Sequence, residues 1–395
     1  MWMTLAQAGA TLDQQGLGAL APFFAADFGL VPAALGSVYG AIYLGSALFT
    51  VPSGLLVDRS GERRVILWTG VLMGLALAAA AAIANVAWLS ACLFVFGAAY
   101  AASSPAGGRA ILRSFREQRG LAMGIRQAGA PLGSAVGVLL LPAVALHAGY
   151  RGALLVGGVL CAVTSVLAAL RYRTPGSSTS DSPQPPGARR SLWALVGELL
   201  GIVRLRRTML LNLTGFVLGA GQYTAVVFVA VTLLHAGTSL GLATAALAIM
   251  NGTAVAARPV WGLLSDRPFR GDRTLPLALL CALAAGSAWG FGSLVRDGVS
   301  LFGVIVVSVG LGASVVAFTG LFNTVLAEIG GTGSAGSVMG VGLTFNYGAG
   351  FVMPPLFGAL LQARGFSFAW HAIAVFLACG GIAAFAARER PARPV

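Results

Sequence analysis

Lysine is absent from this chain. All 25 of its basic residues are arginine, set against 12 acidic residues and three histidines. Charged residues make up only 9% of the 395 positions, where a soluble domain carries about 25%. With 57% hydrophobic residues and a mean hydropathy of +0.85, too little polar surface remains to cover a globule in water. That excludes a soluble enzyme and a disordered chain. Cysteine is scarce too: Cys92, Cys161, Cys281 and Cys379 lie far apart inside apolar runs, so they form neither a disulfide framework nor a metal site. His147, His235 and His371 have no zinc spacing. There is no G-x-x-x-x-G-K-[ST] loop to bind a nucleotide. No Ser/His/Asp cluster stands out, and neither catalysis nor a cofactor is expected.

What is present is a succession of apolar runs, each long enough for one membrane crossing at roughly 20 residues per span. They lie near 2–26, 34–57, 65–84, 87–108, 121–146 and 152–170, then near 208–234, 240–264, 274–295, 299–323, 337–361 and 366–387. The expected fold is all-α and polytopic, with twelve transmembrane helices in two six-helix bundles, 1–170 and 208–395. The N-terminus does not read as a cleaved signal peptide, because it has no basic start and Asp13, Gln14 and Gln15 interrupt the apolar run.

The pI of about 10.9 does not point to nucleic acid, because the arginines sit in short clusters between apolar runs. With both termini cytoplasmic, twenty arginines fall in cytoplasmic loops and the tail, and three (Arg151, Arg296, Arg364) fall on the other side. That asymmetry sets the orientation in a cytoplasmic membrane. Between the halves, 171–207 reads as a cytoplasmic linker. Its Ser/Pro/Gly-rich start is flexible, and 191–207 reads as a helix lying in the membrane interface.

The halves repeat each other. GLLVDRSGERR, with Gly54, Asp58, Arg59, Arg63 and Arg64, follows the second span. GLLSDRPFRGDR, with Gly262, Asp266 and Arg267, follows the eighth. Gly54 and Gly262 are 208 positions apart, and Gly149 and Gly365 are 216 apart. Parallel repeats of six spans imply a carrier that alternates access to a site between its halves. In its spans, spacing and repeated loop, the chain resembles the major facilitator superfamily over essentially its whole length. A finer resemblance lies in FREQRGLAMGIRQAGAPLG (115–133) and NGTAVAARPVWGLLSDR (251–267), which are similar to monocarboxylate carriers and oxalate/formate antiporters. In those groups an Arg before a Pro on helix 8 binds a carboxylate, and Arg258-Pro259 matches it. The acidic-Gly-Gly-aromatic signature on helix 1 of monocarboxylate carriers is missing, as is the helix 11 lysine of oxalate antiporters.

Ionisable groups inside spans are costly and mark function. Arg126, Arg258 and Asp13 fall near the midplane by their spacing from the loops, which suggests one shared cavity. Two guanidiniums and one carboxylate leave one positive charge in excess, and a small organic anion, held by the planar fork of Arg258 with help from Arg126, would neutralise it. Asp13 is the candidate for proton coupling. Gln127, Asn251, Asn346 and Tyr347 are candidates to complete the site, with Gln14, Gln15, Gln222 and Tyr223 less favoured. Helix 11 lines the cavity in the resembling family, which puts Asn346 and Tyr347 first. Gly54 would let helix 2 approach helix 11, and Asp58 would face the positive end of helix 11. The resemblance implies that this contact, with Arg109 or Arg113, latches the outward-open state. The expected function is proton symport or exchange of a carboxylate by a monomer in contact with membrane lipid. Export of drugs or another neutral solute, and a membrane sensor on a carrier scaffold, are the alternatives.

Overall fold

The computed structural model describes residues 2–114, 119–172, 201, 205–269 and 272–388. The linker beyond residue 172 and the interfacial helix expected at 191–207 lie almost wholly outside these residues. Among the described residues the chain is helical throughout, with no strand. The first half contains α1 (Trp2–Ala19), α2 (Ala21–Phe28), α3 (Pro32–Ser60), α4 (Glu62–Ala82), α5 (Val86–Tyr100), α6 (Ser103–Ser114) and α7 (Arg119–Arg171). The second contains α8 (Arg206–His235), α9 (Leu240–Asp266), α10 (Thr274–Asp297) and α11 (Leu301–Leu311). A π-helical turn (Gly312–Val316), α12 (Phe318–Arg364) and α13 (Phe366–Ala386) follow. Nine helical segments among the described residues are long and apolar enough to cross a membrane.

Two elements are too long for one crossing. At 1.5 Å per residue the 53 residues of α7 would extend roughly 80 Å, against a hydrocarbon core about 30 Å thick. Gly149, at φ 65° and ψ 177°, breaks α7 into two arms. Their directions follow from contacts with α1. Gly129, Gly133 and Gly137 pack in that order on the carbonyls of Thr4, Ala8 and Leu12, so the first arm runs parallel to α1. Gly9 meets Thr164 and Asp13 meets Gly157, so the second arm runs antiparallel. The 47-residue α12 behaves likewise: Leu326 packs on Gly342, a pair that a straight helix would hold roughly 24 Å apart, so the chain reverses between them. The break expected at LAEIGGTGSAG (326–336) is therefore a reversal within one helical element.

Gly365, at φ 83° and ψ 170°, starts α13 with nearly the same backbone geometry as Gly149, its counterpart 216 positions earlier. This region is open essentially to glycine alone. Gly149→Ala and Gly365→Ala are each expected to cost about 1–3 kcal/mol, read as a lowered midpoint of thermal unfolding in detergent.

The halves meet at one end and part at the other. At the end near Pro32, α3 and the second arm of α12 touch backbone to backbone: a Cβ on Gly36 would lie 2.3 Å from the Pro354 carbonyl oxygen, and one on Gly358 would lie 2.3 Å from that of Pro32. Gly18 of α1 packs equally closely on Val226 of α8. Towards the arginine-bearing end, the neighbour at Gly340 is Val51, 3.8 Å from its Cβ position, and Gly54 has nothing within 4 Å. The close approach expected at Gly54 is not made in this conformation.

Candidate functional site

Four of the seven tyrosines converge where the halves meet. Tyr43 of α3 stacks on Tyr223 of α8 with ring centroids 4.0 Å apart, and Gly350 of α12 admits both rings. Tyr100 and Tyr347 lie within electrostatic reach of this pair. The Tyr223 hydroxyl donates to Asn346 Oδ1 at 2.6 Å, and Asn346 Nδ2 donates to the Gly215 carbonyl at 3.2 Å. Asn346 thus positions a tyrosine rather than standing free in the site.

Tyr100, at the end of α5, interacts electrostatically with the guanidiniums of both Arg126 and Arg258 and is in polar contact with Gln7. One tyrosine therefore joins the arginine of the first half to that of the second. The two arginines are held differently. Arg126 is 2% exposed, and its terminal nitrogen donates to Gln7 Oε1 at 2.7 Å and to the Ser103 carbonyl at 2.8 Å. Gly107 is required beside it, since a Cβ there would lie 2.1 Å from Arg126 Nε.

Arg258 is half-buried and makes one hydrogen bond among the described residues, from a terminal nitrogen to the Val316 carbonyl at 3.2 Å. Its Nε has no partner, and no acidic residue among those described pairs with it. The π turn makes this possible. Widening the helix at 312–316 disturbs the regular carbonyl ladder, and π turns recur at functional sites for that reason. Here α9 uses the displaced carbonyls: Trp261 Nε1 donates to Ala313 at 2.8 Å, and Arg258 donates to Val316. The stem of Arg258 passes over Gly320.

Asp13 stands apart from this centre. Its carboxyl is fully buried between α1 and the second arm of α7, against Gly157 and the Cys161 thiol. Neither oxygen has a hydrogen-bond partner. The cavity expected to hold all three ionisable groups brings together the two arginines and leaves Asp13 inside the first half. Asn251 donates to the Leu247 carbonyl of its own helix at 3.0 Å. Gln14, Gln15 and Gln222 are buried, and the Oε1 atoms of Gln15 and Gln222 are unpartnered. The side chains of Gln127, Asp58 and Arg113 lie outside the described residues.

The repeated loops carry polar ties. In the first half Arg109 reaches Glu62 at 3.6 Å and the Val57 carbonyl at 3.1 Å, Tyr172 donates to Glu62, and Arg63 Nε donates to the Ala169 carbonyl at 2.7 Å. Arg59 and Arg64 are exposed. In the second half Arg273 bridges Asp266 and Glu328, binding Glu328 at 3.0 Å, while Arg267 is exposed and Gly262 has open space beside it. Asp272 ties this loop to the chain's end by accepting from Arg388 at 2.7 Å. Burial pushes the Asp272 carboxyl up, but hydrogen bonds from Thr274, Leu275 and Arg388 outweigh it and hold it below the ordinary carboxylate range. The tie is complete at neutral pH and is lost only as pH falls through that depressed value.

Tyr43, Tyr100, Gln7 and Trp261 were not singled out from sequence. A tyrosine in an apolar run carries no signal separating a core ring from a cavity ring, and the π turn has no motif.

Comparison with known proteins agrees with this architecture. The Major Facilitator Superfamily profile matches residues 3–354. The MFS-type transporter Rv2994 of Mycobacterium tuberculosis is 30% identical over 325 residues, covering 82% of this chain and 70% of the relative. The probable sulfoacetate transporter SauU of Cupriavidus necator is 26% identical over 374 residues, covering 90% of this chain and 85% of the relative. The crystal structure of a bacterial homologue of the human lysosomal transporter Spinster superposes with a TM-score of 0.80 at 18% identity, covering 99% of this chain and 98% of that one. The chain belongs to the Major Facilitator Superfamily, and it is a multi-pass membrane transporter, not an enzyme.

Proposed function

We propose that this protein is a secondary active transporter of a small organic anion, a carboxylate above all, working by alternating access with a proton or a second anion as the coupled species. The observation that carries this reading is Arg258: a guanidinium at the junction of the halves, beside Tyr100, without an acidic partner among the described residues. A positive charge in such surroundings is costly when left alone, and an anion offsets that cost. The guanidinium fork matches a carboxylate or sulfonate, and the tyrosine hydroxyls offer further donors. The similarity to a probable sulfoacetate transporter supports an anionic substrate. The free charge is positive, which disfavours the alternative of cationic drug export.

Twelve spans support the same reading. The nine apolar segments include Gly129–Arg171, which turns back at Gly149 and so counts twice. Trp2–Ala19 and 338–364 fall short in hydropathy because of Asp13, three glutamines, Asn346, Pro354 and Pro355. Both lie at the interface of the halves, where polar groups belong. The halves, 1–170 and 208–395, would rock about the tyrosine centre, joined by 171–207, with both termini in the cytoplasm of a cell whose inner membrane holds the protein. The conformation described here is then closed to the outside and loosened towards the cytoplasm. The loop pairs at Asp58 and Asp266 belong to the gating machinery of that motion.

The test is a thermal-stability screen of the purified protein against carboxylates, sulfonates, neutral sugars and organic cations. A ligand at a hundred times its Kd stabilises by about 2.7 kcal/mol, so the expected outcome is a raised unfolding midpoint with anions alone. Equal stabilisation by neutral or cationic compounds would remove the anion reading and leave the transporter.

A further inference from the structure

The first half contains a second polar feature, separate from the tyrosine centre. A pocket among the helices of that half is lined by Met3, Ala6, Gln7 and Ala10 of α1, by Thr69 and Met73 of α4, by Ser103 of α6, by Arg126 and by Ser165 of α7. Its walls offer two hydroxyls besides Ser103, an amide and a guanidinium, so water there finds several partners. The pocket begins at Met3 and Ile66, near the arginine-bearing end, and its deepest lining residues are Ala10 and Met73.

Asp13 lies one helical turn beyond that deep end. It follows Ala10 by three positions on α1, a rise of roughly 4.5 Å. The Cys161 thiol that touches it precedes Ser165 by four positions on α7. Both oxygens of Asp13 are buried and unpartnered. Gly9 and Thr164 make the neck between pocket and carboxyl, packed so closely that a Cβ on Gly9 would lie 2.0 Å from Thr164 Oγ1. On the opposite side, α1 reaches the second half through the tight Gly18–Val226 contact.

We propose that this pocket is a water-filled proton passage to Asp13, running inside the first half and separate from the anion route between the halves. Protons reach the carboxyl from the arginine-bearing end through the pocket, past Thr164 and Cys161, while the anion passes Arg258 and Tyr100. Proton transfer here makes no covalent change: water delivers H⁺ to a carboxylate oxygen and takes it back. Among the described residues, Cys161 of α7 is the one titratable side chain that faces Asp13; α4, α6 and α8 present none, and Arg126 stands at the far end of the pocket. The proposal deepens the carrier reading by naming its coupling ion and the path of that ion. It also explains why the chain keeps an isolated carboxyl away from its anion site: a carboxylate beside Arg258 would compete with the substrate.

The experiment is infrared spectroscopy of the full chain in lipid, where the band lost in Asp13→Asn identifies the Asp13 carboxyl. On transfer to D₂O the band should shift rapidly in the unaltered protein. Ala6→Leu places a larger, half-buried side chain in the pocket and is expected to slow the shift at least tenfold. Ser165→Val narrows the opposite wall, serves if Ala6→Leu does not fold, and should act in the same direction. Equal rates in the filled and unaltered proteins overturn the proposal, as does the absence of any carboxyl band that Asp13→Asn removes. The readout needs no substrate, so it stands even if the ligand screen finds no stabilising anion. Where an anion is found, the filled variants should lose at least tenfold in pH-driven accumulation in proteoliposomes and retain anion exchange. Loss of both together would place the pocket on the anion route and overturn the separation.

Discussion

Arg258→Ala is expected to lower anion binding and transport by about 100-fold or more, in a protein that still folds and inserts. Removing one partner of a desolvated, charge-assisted hydrogen bond costs roughly 2–5 kcal/mol. At 1.4 kcal/mol per tenfold, the middle of that range is a loss of a few hundredfold. Folding should survive because the side chain makes one protein hydrogen bond, the 3.2 Å contact with the Val316 carbonyl. Trp261 keeps its own bond to the π turn, so the displaced helix remains pinned. Arg258→Lys retains the charge but not the planar fork, and should fall between the two. Uptake of labelled anion into proteoliposomes, with binding followed by thermal shift, measures both quantities. Full transport by Arg258→Ala would remove the carboxylate reading. Arg126→Ala makes a contrasting case, because Arg126 holds Gln7 and the Ser103 carbonyl in a buried network. Its loss should show first as lowered stability.

Gly358→Val is expected to stop transport by preventing the Pro32 end from closing. Its Cβ would lie 2.3 Å from the Pro32 oxygen and 2.7 Å from the Ala33 nitrogen, both backbone atoms with no rotamer to turn away. Ordinary contact requires at least about 3.4 Å, so α3 and α12 must separate by an ångström or more. Overpacking of this kind costs roughly 1–3 kcal/mol. Here that cost falls on the closed state alone, since the opposite end of the same helices is already apart at Gly54. The expected result is at least a tenfold drop in transport with insertion unchanged, and labelling of a cysteine placed beyond Tyr43 from the Pro32 side. Gly348→Ala on the same helix, with nothing within 4 Å, is the control and should transport normally. Normal transport by Gly358→Val would show that this crossing does not close the carrier.

The parts legible in the sequence were those written as period, length and charge. The apolar runs, the arginine asymmetry and the glycines 216 positions apart depend on local chain physics, and Gly149 and Gly365 indeed share one backbone conformation. Arg258 was legible because an arginine within an apolar run is rare enough to mean something. The grouping of Asp13 with the arginines shows the limit of this approach. Spacing along a helix gives depth in the membrane, but it does not say which way a side chain faces. Asp13 lies at a depth similar to the arginines, yet α1 turns it towards Gly157 and Cys161. The tyrosines were hidden because an aromatic ring looks the same in a core as beside a cavity.

The sequence by itself determined that this protein crosses a membrane repeatedly, that it is built twice over, and which of its few charges lie within the bilayer. Those properties follow from the cost of bringing polar groups into hydrocarbon, a cost paid residue by residue. Only the tertiary structure decided which buried charges meet. It joined Arg126 and Arg258 through Tyr100, left Asp13 alone above a polar pocket, and brought the halves together at Gly36 and Gly358 while parting them at Gly54. The physical reason is that helix rotation and crossing are set by close packing between elements distant in the chain, and no local pattern encodes that fit.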